Sequence, residues 1–184
     1  DKAYSGYNFK SCEYYKDEIG GGKQNITAEH NCTLPYTRNL VGSMDYTPCA
    51  LSATNRITTY SHELAYSVIC ESAWLCMCDM PEIYLKSPAI DFLKKLEAAW
   101  DDTKFIDGFP GKFCIMARRH GSDWFVVGIN AGAAREVSIP MNFINDGNYS
   151  VKLYCDGSDA MKTCDVQEIS FKGRDKVSIK MAEN

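Results

Sequence analysis

The stretch from Ser11 to Pro48 concentrates the residue types that can do chemistry in this chain. It reads SCEYYKDEIGGGKQNITAEHNCTLPYTRNLVGSMDYTP, with carboxylates, aromatic side chains and a Gly-Gly-Gly turn. Glu13 stands between Cys12 and two tyrosines. Carboxylates in such a setting can form half of an active site, and the alternative is a solvated, glycosylated surface loop.

Two groupings of metal-binding residue types do not match the spacing of known metal sites. The Cys76-x-Cys78 pair has the wrong spacing for a paired zinc knuckle, and no second pair follows it. His62-Glu63 is not followed by a histidine four residues after His62, where Tyr66 stands. The helical zinc-protease pattern therefore fails, and zinc is not expected.

Composition excludes several classes of protein. The apolar share of 45% is ordinary for a globular chain that buries a core. The net charge is -4, and no basic run is longer than Arg118-Arg119. A nucleic-acid-binding surface is therefore not expected. Charged or polar residues interrupt every apolar run, so no segment is predicted to span a membrane.

Cysteines and glycosylation motifs together indicate a secretory route. The chain has nine cysteines, and Asn-x-Ser/Thr motifs predict N-glycosylation at Asn25, Asn31 and Asn148. We therefore expect a secreted or luminal protein, with chance motifs and buried cysteines as the alternative. The opening DKAYSGYNFK lacks the features of a signal peptide, so any targeting segment is expected to have been removed or to lie outside this sequence.

One pair of cysteines is the best candidate for a disulfide bond. Cys155 and Cys164 flank the turn-rich segment DGSDAMKT, which separates two predicted strands. Paired strands can bring two such sulfur atoms within bridging distance. Because the total number of cysteines is odd, at least one thiol is expected to be free or bonded to another chain.

The first hundred residues predict helices and one buried strand. From Ser61 to Cys78 the apolar residues recur at helical spacing, with Ser61 as the N-cap. A second helix is predicted from Ser87-Pro88 towards Trp100, with proline at its first position. The run CTLPYTRNLVG suits a parallel strand of a larger α/β sheet, yet no partner strand is present. This region is therefore interpreted as part of a larger enzyme.

Beyond about residue 103 the period of the apolar residues changes from 3.6 to 2. The segments KFCIMARRH and WFVVGIN, joined by GSD, predict a β-hairpin. Further strands are predicted at REVSIPMNF, NYSVKLYC, DVQEISFK and KVSIKM, with turn residues between them. The pattern predicts a small antiparallel β-sandwich after a helical, loop-rich segment.

The stretch from Thr33 to Pro48 resembles a signature of glycoside hydrolase family 97, usually L-P-F-T-R-x-L-x-G-P-M-D-Y-T-P. Downstream, HELAYSVICES and DFLKKLEAAWDDTKFIDGFPGKFCIMARRHGSDWFVVGINA resemble the family's last barrel helix, its linker helix and its C-terminal sandwich. The resemblance covers almost the whole chain in order. It implies the last units of a (β/α)8 catalytic barrel in residues 1–103 and a C-terminal antiparallel β-sandwich in residues 104–184.

The resemblance also implies an activity and a catalytic residue. Members of the family cleave α-linked glucosides or galactosides, some with inversion and some with retention. Their general acid lies in a G-x-E-Y/W-like motif, and the matching residue is Glu13, although Ser11 replaces the usual glycine. Such an acid must protonate the glycosidic oxygen, and an apolar setting raises the pKa of a carboxyl group. The base or nucleophile is implied to lie upstream of this sequence.

Other positions carry weaker predictions. Glu29 and His30 precede the signature as a similar pair does in the family, and they are candidates for the sugar pocket at the C-terminal rim of the barrel. A solvated loop pair is the alternative. We expect structural roles for Arg38 and Asp45. Packing roles are expected for Trp74, Trp100 and Trp124.

Calcium is implied by the resemblance, but the sequence departs from the family's calcium-binding pattern. Members commonly carry a calcium-binding glutamate shortly before the acid. Here the run GYNFKSCE has Tyr7, Asn8 and Lys10 and no carboxylate before Glu13. A lysine at such a site would oppose the cation. The pattern is either shifted by a gap or belongs to a diverged copy.

Three functions follow from these observations. The first is an α-glycosidase that acts on an α-linked glycoside, with Glu13 as proton donor and the rest of the barrel and the N-terminal domain as partner regions. The second is a non-catalytic secreted glycoprotein structural or carbohydrate-binding module derived from the family. The third is a secreted cysteine-rich interaction protein. Because the base or nucleophile is absent, the isolated chain is predicted to be inactive.

Overall fold

The computed structural model describes residues 26–44, 46–53, 56–77 and 79–184. Within these ranges, four short α-helices precede residue 94. Their bounds are α1, Ala28–Asn31; α2, Tyr60–Ile69; α3, Pro81–Leu85; and α4, Ile90–Leu93. Two 3-10 helices, Leu34–Tyr36 and Arg38–Val41, separate α1 from α2. No described helix is long and apolar enough to cross a membrane.

Seven antiparallel strands follow and form three small sheets in the described chain. The bounds are β1, Asp102–Phe109; β2, Phe113–His120; β3, Asp123–Asn130; β4, Arg135–Pro140; β5, Asn148–Cys155; β6, Asp165–Lys172; and β7, Lys176–Met181. The sheet orders are β1-β2-β3, β4-β7 and β5-β6. The predicted hairpin and the later strands are confirmed, while β1 was not predicted.

The central strand of the three-stranded sheet, β2, is buried on both faces. Cys114 and Met116 on β2 pack with the helical region, in a cluster that includes Tyr66 and Ile69 of α2. Ile115, which points to the other face, packs against Val137 and neighbouring residues of the remaining sheets. A strand covered on both faces needs apolar residues at consecutive positions. This requirement explains the run FCIMA, which departs from simple alternation.

Helix α2 is shorter than its sequence predicts. The helix begins at Tyr60 with Thr59 as its N-cap, whose hydroxyl accepts from the His62 amide at 3.2 Å. It ends at Ile69, where Nη2 of the buried Arg118 donates to the Ile69 carbonyl at 2.9 Å. The predicted N-cap at Ser61 and the predicted end at Cys78 are therefore wrong. An arginine from the sheet satisfies a terminal helix carbonyl, which a local apolar pattern cannot reveal.

The second predicted helix is also interrupted. Between Ser87-Pro88 and Trp100 the structure has only the single turn of α4, Ile90–Leu93. Helix α3 lies before this segment, with Pro81 in its first turn, where its missing N–H costs nothing.

The segment predicted as a buried parallel strand is 3-10 helical. Pro35 lies in the first turn of the helix Leu34–Tyr36. The hydroxyls of Thr33 and Thr37 donate to carbonyl groups four residues earlier, at 2.9 and 3.0 Å. These side-chain bonds and the fixed φ of proline favour turns over an extended strand.

Gly108 of β1 lies where the sheet meets the helical region. The Tyr36 hydroxyl donates to the Phe113 carbonyl at 2.9 Å, across the β1–β2 turn. A Cβ atom at position 108 would overlap that hydroxyl and lie 2.7 Å from the Phe113 carbonyl oxygen. The close approach therefore requires glycine.

Gly108→Ala is expected to destabilise the fold by about 1–3 kcal/mol, because the added methyl group displaces Tyr36 or the β1–β2 turn. Gly128→Ala is the matched control, since the tightest contact of its Cβ would be the flexible Met181 sulfur at 3.2 Å, with Ile115 and Cys114 at ordinary contact distances of 3.5 and 3.9 Å. Urea unfolding curves of both variants measure the difference. Equal urea midpoints for Gly108→Ala and Gly128→Ala would contradict the tight packing of Tyr36 against Gly108.

Candidate functional site

Three of the predicted site residues lie outside the described residues: the candidate acid Glu13, the glycosylation candidate Asn25, and Asp45. The described part of the site is centred on α1, which carries Glu29, His30 and Asn31. Its geometry is set by residues of α2 and of the signature Thr33 to Pro48.

Helix α1 presents Glu29 and His30 differently. The Thr27 hydroxyl caps the helix by accepting from the His30 amide at 3.1 Å. Glu29 is exposed and lies beside the β1–β2 turn, where a Cβ at Gly111 would be 3.6 Å from Glu29 Cγ. Half-burial lowers the pKa of His30, which favours a neutral imidazole. Helix α1 therefore presents an exposed carboxylate at Glu29 beside a half-buried, neutral ring at His30, whose Nε2 is shielded from solvent.

A buried hydrogen-bonded network holds α1 against α2. Asn31 Oδ1 accepts from the Tyr46 hydroxyl at 3.0 Å, and Asn31 Nδ2 lies 3.0 Å from His62 Nε2. All three side chains are buried. This network was not predicted from the sequence, although its members are polar residues among apolar neighbours in the sequence. The network fixes the segment that presents Glu29 and His30.

The network determines the tautomer of His62. Since Asn31 Oδ1 accepts from Tyr46, Asn31 Nδ2 must donate, and His62 Nε2 must accept. The ring proton of the neutral imidazole is then on Nδ1. The side-chain amide of Asn184 lies 2.9 Å from Nδ1. The amide nitrogen Nδ2 is the atom that lies at this distance, so a proton on Nδ1 requires the flipped amide orientation, in which the Asn184 oxygen accepts it.

His62 is expected to make the fold sensitive to acid. Burial, and then the nearby positive charge of Arg56, lower the pKa of His62 to about 3 from an ordinary 6.5. Between those values the unfolded chain binds a proton that the folded chain does not, so stability is lost as pH falls from 6.5. The slope from this residue is at most about 1.4 kcal/mol per pH unit.

The measurement is urea unfolding of wild type and His62→Gln between pH 7 and 4, because the glutamine oxygen can still accept from Asn31. As the pH falls, the free energy of unfolding of the wild type should decrease relative to that of His62→Gln. His120→Gln, at an exposed position, is the matched control. A pH-independent difference would contradict a neutral, buried His62.

A second buried network surrounds Glu63, the neighbour of His62. Glu63 accepts from the Thr58 hydroxyl at 2.6 Å and from the Cys49 amide at 3.1 Å. Arg56 donates to the Ala50 carbonyl at 3.2 Å and also to the carbonyls of Thr58 and Met161. Burial raises the pKa of Glu63. This network closes the loop before α2 and joins it to the β5–β6 connection.

The described residues do not supply a metal site. They contain no group of three or more histidine, cysteine or carboxylate side chains that could hold an ion. The region implied for calcium, Tyr7 to Glu13, lies outside the described residues. The described donors therefore do not fit a calcium ion.

Arg38 and the tryptophans divide into structural and exposed residues. Arg38 donates to the carbonyls of Gly42 and Ser43 at 3.4 and 3.2 Å, which braces the loop. Trp100 packs on Phe125, and Trp124 packs on Phe143. Trp74, however, is 79% exposed, so the packing predicted for it is wrong within this chain.

The three glycosylation candidates have different surroundings. Asn31 is buried, and its amide is engaged by Tyr46 and His62. The folded chain has no room for a glycan there, which corrects the prediction for Asn31. Asn148 is exposed at the start of β5, and glycosylation at Asn148 and Asn25 stays a prediction.

Cys155 and Cys164 are free thiols in the structure. Cys155 lies opposite Asp165 in the β5–β6 register, so Cys164 is one residue out of register with it. The structure therefore does not contain the expected disulfide. Burial raises the pKa of Cys164 to about 11, which disfavours the reactive thiolate.

Comparisons with known proteins all point to the same family. The profile of the glycosyl-hydrolase 97 C-terminal oligomerisation domain matches residues 99–184. A probable retaining alpha-galactosidase of Streptomyces bingchenggensis is 41% identical over 145 residues, covering 77% of this chain and 23% of that protein. The retaining alpha-galactosidase of Bacteroides thetaiotaomicron is 30% identical over 169 residues, covering 82% and 26%.

A solved structure agrees with these relatives. It is a glycoside hydrolase family 97 enzyme from Pseudoalteromonas sp. strain K8 in complex with acarbose. It superposes with a TM-score of 0.77 and 27% identity, over 90% of this chain and 28% of that one. The chain thus spans about a quarter of the length of its relatives. Together, these matches show that the chain belongs to glycoside hydrolase family 97, as a C-terminal part.

Proposed function

We propose that this chain is the C-terminal part of an α-galactosidase, with Glu13 as the general acid. The observation that carries this proposal is the similarity to two relatives named retaining alpha-galactosidase. Both matches are far longer than the domain at residues 99–184. They therefore extend into the helical region, which is the region that carries the signature Thr33 to Pro48. The similarity to a family enzyme bound to acarbose supports a glycoside as ligand.

The residues of this chain would act on the leaving group and on the sugar. A protonated Glu13 donates its proton to the glycosidic oxygen as the bond to the anomeric carbon breaks, so the leaving group departs as a neutral alcohol. Glu29 and the neutral His30 bind sugar hydroxyl groups. The buried network of Asn31, Tyr46 and His62 holds α1, which carries Glu29 and His30, against α2. A binding site requires side chains that are held rigidly in this way.

The remaining parts of the mechanism belong to the rest of the parent protein. We place the nucleophile or base in the upstream part of a (β/α)8 barrel, of which residues 1–103 form the end. Calcium also remains a proposal, and its ligands would be carboxylates outside the described residues. A secreted or luminal location is proposed on the predicted glycosylation of Asn25 and the exposed Asn148.

The test is hydrolysis of nitrophenyl α-galactoside and α-glucoside by the full-length parent, with and without added calcium. We expect turnover of the α-galactoside at a higher kcat/KM than the α-glucoside. The isolated chain is the control and should show no turnover. Preference for the α-glucoside would overturn the substrate assignment, and turnover by the isolated chain would overturn the division of catalytic groups.

A second candidate function is a non-catalytic structural or carbohydrate-binding module. It is favoured by one observation, the absence of a carboxylate from Tyr7 to Lys10, where family members commonly carry a calcium-binding glutamate. A folded, calcium-loaded parent that binds an α-galactoside without cleaving it would select this function over catalysis.

A further inference from the structure

Among the described residues, the most exposed large apolar side chains lie in the helical region and not on the sheets. Val41, Trp74 and Leu40 are 83%, 79% and 75% exposed. The most exposed counterpart in the β-rich region is Phe105, at 59%. Single exposed apolar residues are common on proteins. Three residues at this level of exposure on neighbouring segments indicate a contact surface.

Hydrogen bonds hold these segments side by side. Asn39 Nδ2 donates to the Glu71 carbonyl at 3.1 Å, and the Glu71 amide donates to Asn39 Oδ1 at 2.9 Å. The Met44 amide donates to the same carbonyl at 3.0 Å. The 3-10 helix Arg38–Val41 is thus fixed to the loop that leads to Trp74. We name Leu40, Val41 and Trp74 the Leu40–Trp74 face.

The face belongs to a region whose other side is already packed. Met44 and Ile69, which flank the two segments in sequence, are buried in the cluster that covers the three-stranded sheet. The exposed side chains do not belong to that cluster. The Leu40–Trp74 face is therefore a second apolar surface of the helical region, formed by ordered backbone.

We infer that the part of the family 97 polypeptide that precedes this chain covers the Leu40–Trp74 face. This inference rests on the proposed function, which makes the helical region the end of a longer catalytic domain. About three quarters of the length of each relative lies outside the segment that this chain matches. A single catalytic domain buries its apolar side chains in a shared core, so an adjoining region of the same polypeptide is the natural occupant. The occupant is predicted to contribute apolar side chains.

The test is hydroxyl-radical footprinting of the full-length parent, read by mass spectrometry at Trp74 and at Leu40-Val41. For each side chain, the rate of modification in the urea-unfolded parent is divided by the rate in the folded parent. Because residues inside a contact surface are fully desolvated, Trp74 is expected to be protected about fivefold or more. Met161, which is 42% exposed and lies away from this face in sequence, is the internal control and should be protected much less.

The outcomes separate this inference from the proposed activity. Strong protection of Trp74 in an inactive parent would support the covered face and count against catalysis. A protection factor near one in an active parent would overturn the covered face alone. Protection that disappears on tenfold dilution would show that a second copy covers the face, and would also overturn the inference.

Discussion

Glu13→Gln in the full-length parent is expected to lower kcat for an alkyl α-galactoside by about 10²–10⁴-fold. Glutamine keeps the shape of the side chain but has no proton to donate. An alkoxide leaving group then departs without protonation, and its high basicity raises the barrier. The measurement is steady-state hydrolysis of methyl α-galactoside by wild type and variant.

The dependence on the leaving group distinguishes an acid from a residue that merely supports the fold. A dinitrophenyl α-galactoside needs little protonation, so Glu13→Gln should lower kcat for this substrate much less than for the alkyl glycoside. Glu29→Gln is the matched control, because a sugar-binding carboxylate should affect both substrates similarly. Equal loss on both substrates in Glu13→Gln would remove Glu13 from the acid role.

Glu63→Ala is expected to destabilise this chain by about 2–4 kcal/mol, because two buried donors lose their acceptor. The truncation leaves the Thr58 hydroxyl and the Cys49 amide without their acceptor inside the fold. It also removes the negative charge near the buried Arg56. Buried groups left unpaired carry their full desolvation penalty. Urea unfolding followed by circular dichroism measures the change.

Glu82→Ala provides the matched control, since Glu82 is exposed in the first turn of α3. That substitution should change the free energy of unfolding by less than about 1 kcal/mol. Glu63→Gln should fall between the two, because its amide oxygen still accepts one hydrogen bond. Similar stabilities for Glu63→Ala and Glu82→Ala would contradict the assigned role of the Glu63 network.

The strands from β2 onwards were predictable because their determinants are local. The bounds predicted for β5, β6 and β7 coincide with the observed ones. Alternating side chains and turn residues such as Asp156-Gly157 specify these strands without reference to distant parts of the chain. The burial of β2 on both faces was not predictable in this way, because its second covered face depends on where α2 packs.

The helical region was harder to predict because distant contacts decide it. Helix α2 ends where Arg118, 49 residues away in sequence, bonds its last turn. The strand predicted after Cys32 is replaced by turns that Thr33 and Thr37 stabilise through their hydroxyl groups. A local sequence pattern shows the spacing of apolar residues, but it does not show the hydrogen-bond partners of Arg118, Thr33 and Thr37.

The resemblance to the family indicated the candidate site residues, but not the network that supports them. A G-x-E-Y/W-like motif pointed to Glu13, and the pair Glu29 and His30 was predicted from its place before the signature. The same sequence suggested a glycan at Asn31, although the folded chain uses that amide to join Tyr46 and His62. Those residues come from three separate segments, so only the tertiary structure brings them together.

Proton NMR of a nitrophenyl α-galactoside hydrolysed by the full-length parent tests the proposed activity. We expect galactose to be released and its α anomer to form first, as for a retaining enzyme with Glu13 as acid. Absence of galactose release by a folded, calcium-loaded parent would overturn the proposed α-galactosidase activity, and first formation of the β anomer would overturn retention.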